Sequence, residues 1–369
     1  MVVTGRKVDE FDLSRRACYR KPEAYSQAVR SLEVLNAFPR GEMCPFETTA
    51  PMREDVARVD PGGIAILCGT GADRIGFLHR LTTGRVQGTS VGAGCRSLLL
   101  DSKGHVVGDL CVCVTSDEVR LLTAAAAGQG LAAALGRYAV MDDFAVAVEA
   151  DIAVTALHGP GSAQALRRAG VGVPEDFAAR PPWSHIDAAS PFGSLWLVRS
   201  HELGADGLWA FGAVPVCSDL VASLDLAGVR AMGPELTEAL RIEAGEPRFG
   251  AEITGDTLPM ELGLASALDQ EKGCYLGQET IVRVRDRGLV RRRLAGLRLR
   301  SDGMAAAGDA IGFEHDPAVG RVTSVGRVPG QAAVALALLA TTVPVGAEVQ
   351  ISHGAEVLAA AVTFDRPIW

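Results

Sequence analysis

The sequence predicts an α+β protein with antiparallel sheets, followed by a small closed β-barrel. Strands and helices mix between residues 57 and 290 without the regular alternation that builds a parallel sheet. After Arg293, six short strand-like segments at even spacing are separated by Gly, Pro and Asp turns, which is typical of a small barrel. We therefore predict an N-terminal extension over 1–56, an α+β region over 57–290 and a barrel over 291–369.

The elements of the α+β region follow from apolar alternation in strands and from capping residues with apolar periodicity in helices. The predicted strands are 63–68, 95–100, 106–114, 118–122, 145–157, 195–200 and 207–211. The predicted helices are 74–81, 129–138, 162–169, 214–226 and 236–244. The turn at 101–104 joins two of these strands into a hairpin, and the strands at 195–200 and 207–211 form a second hairpin.

The barrel is expected to form a separate module that covers the functional site from one side. Its predicted strands are 293–299, 310–314, 319–328, 332–339, 347–352 and 357–364.

Composition is that of a soluble globular protein, with 48% apolar and 22% charged residues in a chain of 369. A net charge of −8 argues against a general nucleic-acid binder, although Arg291–Arg293 forms a local basic cluster. Residues 1–16 lack the apolar core of a signal peptide, and 332–340 is too short to span a bilayer. We therefore expect a cytoplasmic protein with neither a membrane nor a nucleic-acid partner.

The cysteines and histidines contain no metal-binding pattern. None of the eight cysteines forms a C-x-x-C pair, and the seven histidines show no H-E-x-x-H spacing. Cys111 and Cys113 lie in an apolar run and are best interpreted as small buried hydrophobes. No metal ligand is predicted.

The segment Lys272–Glu279 (KGCYLGQE) has the character of a functional site. Its glycines allow a sharp turn or a close approach to a ligand, and Cys274 lies among polar rather than apolar neighbours. Lys272, with Arg283 and Arg285 further on, favours the thiolate form of this cysteine. Cys274 and Lys272 are therefore the candidate catalytic residues.

Charged residues elsewhere allow two interpretations each. Asp109 lies inside an apolar strand, so it either accepts hydrogen bonds from the N–H groups of a ligand or faces solvent at a strand edge. Arg241 either pairs with Glu243 within the chain or binds an acidic ligand from a cleft.

Several motifs in this order resemble the YgfZ branch of the glycine-cleavage T-protein superfamily. They are Asp101-x-x-Gly104-x4-Asp109-Leu110, Leu240-Arg241-x-Glu243-x-Gly245-x-Pro247-x-x-Gly250, Pro259-x-Glu261, the segment at 272–279 and Arg291–Leu294. The resemblance covers roughly 57–369 and is most specific at 272–279. It implies a folate-binding region of ferredoxin-like subdomains arranged as a ring, with a six-stranded C-terminal barrel.

The resemblance also implies a function. Members of this branch are folate-binding proteins that support assembly or repair of iron–sulfur enzymes, with a link to tRNA modification through such enzymes. We therefore expect tetrahydrofolate, or a folate derivative, as the cofactor and iron–sulfur client enzymes or cluster assembly proteins as partners. The candidate folate-binding residues are Asp109, Arg241, Glu243, Tyr275, Gln278 and Glu279.

Two alternatives remain beside this accessory role. One is a folate-dependent one-carbon transferase acting on an aminomethyl or methyl group, and the other is a scaffold in which Cys274 is structural. Aminomethyltransferases carry no cysteine in the matching octapeptide. They also carry a pterin-anchoring glutamate where this chain offers Ala205, although Asp109 matches their folate-facing aspartate. These differences favour the accessory role.

Overall fold

The structure is a computed structural model that describes residues 56–59, 63–200, 203, 206–288, 290–328 and 330–365. The predicted N-terminal extension, except residue 56, and the position of Ala205 lie outside the described residues. Among the residues described, no helix is both long and apolar enough to cross a membrane.

The described chain contains strands and helices in mixed order. The strands are β1 Ala57–Val59, β2 Ile64–Thr70, β3 Gly94–Leu100, β4 Val106–Val114, β5 Val119–Ala124, β6 Ala145–Val148, β7 Ile152–His158, β8 His185–Ser190, β9 Gly193–Ser200, β10 Gly207–Ala213, β11 Arg292–Leu299, β12 Ala310–Phe313, β13 Asp316–Gly326, β14 Val334–Ala340, β15 Glu348–His353 and β16 Glu356–Asp365. The helices are α1 Arg74–Leu81, α2 Ala125–Tyr138, α3 Ser162–Arg168, α4 Val214–Leu226, α5 Pro234–Glu243 and α6 Gln278–Arg287. Short 3₁₀ helices occur at Phe177–Ala179, Pro259–Leu262 and Ala265–Ala267.

Two five-stranded antiparallel sheets pack face to face. The first has the strand order β3-β4-β5-β2-β6, and the second has the order β1-β7-β10-β9-β8. One hydrophobic cluster joins Ile66 and Leu122 of the first sheet to Trp209 and Phe211 of the second. This core between the sheets sets the position of the cavity described below.

Helices cover the outer faces of both sheets. Leu131 and Leu135 of α2 pack with Leu67 and Leu121 of the first sheet. α3 and α4 bury their apolar residues against the second sheet in another cluster. Each sheet is therefore apolar on both faces, which explains why β4 and β10 read as nearly continuous apolar runs.

The C-terminal strands close into a barrel in the order β11-β14-β13-β12-β15-β16. This confirms the predicted six-stranded barrel, and each observed strand overlaps its predicted segment. Helix α5 connects the barrel to the sheets, since Leu236 and Leu240 lie in the core between the sheets while Ile242 packs with Val334 and Leu336 of β14.

One local prediction is wrong, and three elements were not predicted. The run at 145–157 is not one strand: β6 pairs with β2 in the first sheet, whereas β7 pairs with β10 in the second. The chain changes direction at Asp151, whose φ of 59° is one that aspartate tolerates better than most residues. Strands β1 and β8 and helix α6 were not predicted, and α6 is so polar that it buries only Ile281 and Val284.

Candidate functional site

A cavity of about 220 Å³ lies between the two sheets and is bordered by α5. Its wall is mostly apolar, with a few charged groups converging from different elements. The residues that line it are Val59, Gly63, Ile64, Arg96, Asp109, Cys111, Leu122, Thr123, Ala124, His158, Trp183, Leu203, Trp209, Pro234, Thr237, Glu238, Arg241, Arg248 and Phe249. A concave, largely apolar space with few polar groups is the usual form of a small-molecule site.

Asp109 is buried in the cavity wall and pairs with Arg96. The Nε of Arg96 donates to Oδ1 of Asp109 at 2.8 Å, and Nη2 donates to Oδ2, so the contact is bidentate. Both side chains are 5% exposed, which rules out the solvent-facing interpretation of Asp109. In the β3–β4 hairpin the residue directly opposite Arg96 is Cys111, which lies two residues after Asp109. Arg96 and Asp109 are therefore diagonal neighbours on the two strands.

Sequence reasoning missed Arg96, although a signal existed. It is the one charged residue in the strand GCRSLLL, thirteen residues before Asp109 on the other arm of a predicted hairpin. A buried charge in an apolar strand needs an opposite charge nearby, and the adjacent strand is the first place to look.

Arg241 reaches the same cavity from α5. Its guanidinium donates to both carboxylate oxygens of Glu238, at 2.9 and 2.8 Å, and to Glu252 at 3.0 Å. It also donates to the hydroxyl of Ser324 on β13 at 2.7 Å. Arg241 therefore fixes α5 against the barrel while one side of it faces the cavity.

Glu243 does not pair with Arg241 and does not line the cavity. It accepts a hydrogen bond from Arg298 of β11 at 2.8 Å, and burial raises the pKa of its carboxyl group above the ordinary value. Residues two apart on a helix point in nearly opposite directions, which explains why Arg241 and Glu243 have different partners. The structure thus gives Glu243 a contact with the barrel rather than with the cavity.

Two tryptophans, Trp183 before β8 and Trp209 on β10 of the second sheet, form one wall of the cavity. The rings of Trp183 and Trp209 meet edge to face with centroids 5.9 Å apart. Trp183 has a φ of 64°, a left-handed conformation that is costly for a bulky residue. Among the described residues, the buried Nε1 of Trp209 has no hydrogen-bond partner. No sequence motif marked either tryptophan.

The octapeptide lies apart from this cavity, and its lysine has a structural contact. The ammonium of Lys272 donates to the main-chain carbonyls of His79 at 2.5 Å, Thr82, and Gly84 at 2.8 Å. Burial lowers the pKa of Lys272 to about 8. These bonds fasten the octapeptide to the end of α1, so the three donors of Lys272 are directed at carbonyls rather than at a thiol.

The other octapeptide candidates also lie outside the cavity lining. Cys274 is exposed, whereas Tyr275 is buried in a core cluster with its ring 5.4 Å from the nitrogen of Lys272. Gln278 begins α6, and Glu279 is exposed and paired with Arg283 one turn later. Of the predicted residues, the structure therefore brings Asp109 and Arg241 together in the cavity and places the octapeptide elsewhere.

Two of the predicted motifs nevertheless contact each other. Gly277 has a φ of 78°, and a Cβ there would lie 2.4 Å from the carbonyl oxygen of Asp101. Gly104 has a φ of 83°, and a Cβ there would lie 2.9 Å from Thr280 on α6. The octapeptide turn therefore packs on the turn of the β3–β4 hairpin that carries Asp109.

The sequence of this chain is similar to those of known proteins. No protein-family model matches the chain. An aminomethyltransferase of Mycobacterium avium (strain 104) is 29% identical over 286 residues, covering 76% of this chain and 75% of the relative. An aminomethyltransferase of Bacillus subtilis (strain 168) is 26% identical over 262 residues, covering 69% of this chain and 71% of the relative.

A solved structure has the same architecture. The glycine cleavage system aminomethyltransferase T from Bartonella henselae matches with a TM-score of 0.74 at 22% identity, covering 85% of this chain and 86% of that chain. This confirms the predicted fold class, a glycine-cleavage T-protein-like α+β region followed by a barrel. The chain is thus similar in sequence to aminomethyltransferases and shares the fold of one of them.

Proposed function

We propose that the cavity between the sheets binds a tetrahydrofolate derivative and that the protein is a folate-dependent one-carbon transferase. The observation that carries the proposal is the meeting of Asp109 and Arg241 in one cavity, although they are far apart in the chain. The sequence motifs alone favoured an accessory role in iron–sulfur metabolism. The relatives are named aminomethyltransferases, so they favour transfer chemistry instead.

The lining residues suit one end of a folate. A bicyclic pterin is flat and carries N–H donors and ring acceptors, which matches an apolar wall containing the carboxylate of Asp109 and the indole N–H of Trp209. A volume of about 220 Å³ is smaller than the roughly 300–1,000 Å³ that hold a whole drug-sized ligand. The ring system would therefore occupy the cavity while the remainder extends through its opening.

Each lining residue would have a distinct task. When bound, tetrahydrofolate supplies the amine nitrogens that carry a one-carbon group. Arg96 holds the carboxylate of Asp109 in a fixed orientation through two parallel bonds, and Asp109 would accept a hydrogen bond from an N–H of the ligand. Trp183 and Trp209 would pack against the ring and exclude water from it.

Transfer activity tests the proposal. Incubation of tetrahydrofolate with an aminomethyl donor should form methylene-tetrahydrofolate and release ammonia, or incubation with a methyl–sulfur donor should form methyl-tetrahydrofolate and release the demethylated sulfur compound. Asp109→Ala should abolish product formation. Failure of every donor, with folate binding intact, would exclude the transferase and retain only a folate-binding role.

An accessory role for iron–sulfur enzymes is the second candidate, favoured by the exposure of Cys274 outside the cavity. A thiol in this position is accessible to another protein, whereas a thiol inside the cavity would not be. In a strain lacking the protein, the Cys274→Ala variant should fail to restore iron–sulfur enzyme activity while keeping its affinity for folate. Full rescue by Cys274→Ala would remove this candidate.

A further inference from the structure

The charged groups of the cavity lining are unequally distributed between its interior and its opening. Three arginines and two carboxylates line the cavity. In the interior, Arg96 pairs with Asp109, and Arg241 pairs with Glu238. Arg248 also pairs with Glu238, while Arg241 makes a second ion pair with the buried Glu252 behind the lining. Arg248 therefore differs from the other two arginines by its exposure and not by an excess of charge.

Arg248 lies at the opening of the cavity. Its side chain is 48% exposed, and two other lining residues, Pro234 and Gly63, are also exposed. Within the part of the chain that the structure describes, its guanidinium makes one hydrogen bond, from Nη1 to Glu238 at 2.7 Å. A guanidinium carries five N–H donors in a fork that matches a carboxylate, so most of its donors point to solvent.

The main chain of Arg248 is held firmly even though its side chain is exposed. Its backbone N–H donates to Oε2 of Glu252 at 2.8 Å, and Glu252 is fully buried. Glu252 in turn accepts bonds from Arg241 and from Ser324 of the barrel. The anchored main chain and the contact with Glu238 together keep the guanidinium beside the opening, which lowers the cost of ordering it on an anion.

We propose that Arg248 binds a carboxylate of the glutamyl tail of the folate, as the tail leaves the cavity. The inference rests on the proposed folate site, and it names the part of the ligand that Arg248 distinguishes. A cavity of about 220 Å³ has room for the ring system, so the tail lies outside it, where Arg248 is the exposed cation of the lining. Longer glutamyl chains should bind more tightly because they bring more carboxylates to the same guanidinium.

The test compares three ligands that differ only beyond the ring system. They are the amide of 5-formyltetrahydropteroate, which has a neutral carboxamide in place of glutamate and carries no carboxylate, and the mono- and triglutamate forms of 5-formyltetrahydrofolate. Calorimetric titration of the wild-type chain should give affinities that increase in that order. Arg248→Gln should weaken both glutamate-bearing ligands by roughly three- to tenfold and leave the pteroate amide within twofold.

Two further variants separate charge from shape. Arg248→Lys keeps the charge but not the fork, and it should retain part of the preference for glutamate-bearing ligands. Arg300→Gln is the matched control: Arg300 is a 57% exposed arginine paired with Glu348 on the barrel, outside the cavity lining, and its loss should change none of the affinities.

Other outcomes overturn the inference in distinguishable ways. An equal loss for the pteroate amide and the folates in Arg248→Gln would show that Arg248 shapes the cavity rather than binding the tail. No loss for any ligand would show that the tail leaves elsewhere. If the wild-type chain binds none of the three ligands, the folate site itself is wrong and the inference falls with it.

Discussion

Buried charges decide the chemistry of the cavity at the scale of single residues. Asp109 and Arg96 are each 5% exposed, so each depends on the other to remain in the core. Removing one partner of such a pair leaves an uncompensated buried charge, whereas replacing both by apolar residues avoids that cost. Mutation of one or both partners should therefore change the free energy of unfolding by different amounts.

We predict that Asp109→Leu lowers the free energy of unfolding by about 3–5 kcal/mol, because Arg96 loses its carboxylate in the core. The double variant Arg96→Met/Asp109→Leu should be more stable than Asp109→Leu, yet bind no folate. Urea unfolding and ligand titration on the same samples check both points. A double variant less stable than the single one would mean that the charges stabilise the fold beyond neutralising each other.

Lys272 is predicted to stabilise the octapeptide rather than to activate Cys274. Lys272→Met removes the donors to three carbonyls, so the free energy of unfolding should fall by about 2–4 kcal/mol. The exposed Arg168→Met serves as the control and should change it by less than about 0.5 kcal/mol. In native Lys272→Met, the iodoacetamide rate at Cys274, followed by peptide mapping, should stay within twofold. A tenfold slower rate would restore a role for Lys272 at the thiol.

At the scale of elements, the two glycines of the octapeptide have different roles. Gly277 combines a φ of 78° with a close approach to Asp101, whereas among described residues no atom lies within 4 Å of a Cβ built at Gly273. From the sequence, we predicted the same role for both glycines, a sharp turn or a close approach to a ligand. Only Gly277, at the start of α6, holds the octapeptide against the hairpin that carries Asp109.

Gly277→Ala should therefore destabilise the protein by about 1–3 kcal/mol, since alanine is strained at positive φ and its methyl group meets a carbonyl oxygen. Gly273→Ala should be neutral within about 0.5 kcal/mol. Thermal unfolding of the two variants side by side is the measurement. Equal effects would contradict the packing of Gly277 on the hairpin turn.

Strands and helices were predicted correctly where turn residues separate segments of regularly spaced apolar residues. The β3–β4 hairpin, α4 and all six barrel strands follow from such signals. The prediction of a single strand at 145–157 was wrong. The alternation of apolar and polar residues continues through Asp151, but the two halves of the run join different sheets. Sheet membership depends on partners distant in the chain, and alternation within one segment contains no information about them.

At the scale of the whole molecule, the cavity exists because two sheets meet face to face beside α5. Asp109 and Arg241 were predicted from motifs, whereas Arg96, Trp183, Trp209 and Arg248 emerged only when the chain was folded. The tryptophans look like ordinary core residues in the sequence, and their role depends on a neighbouring sheet. The sequence predicted that the octapeptide belongs to the same site. In the structure no octapeptide residue lines the cavity, and Lys272 donates to main-chain carbonyls.

The central claim is that this cavity binds a folate. Titration with 5-formyltetrahydrofolate, followed by tryptophan fluorescence, tests it most directly because Trp183 and Trp209 form part of the wall. We predict saturable quenching in the wild-type chain and none in Ala124→Phe, which fills the cavity without removing a polar group. Absence of quenching and of calorimetric heat at millimolar ligand, or equal binding by Ala124→Phe, would contradict the claim.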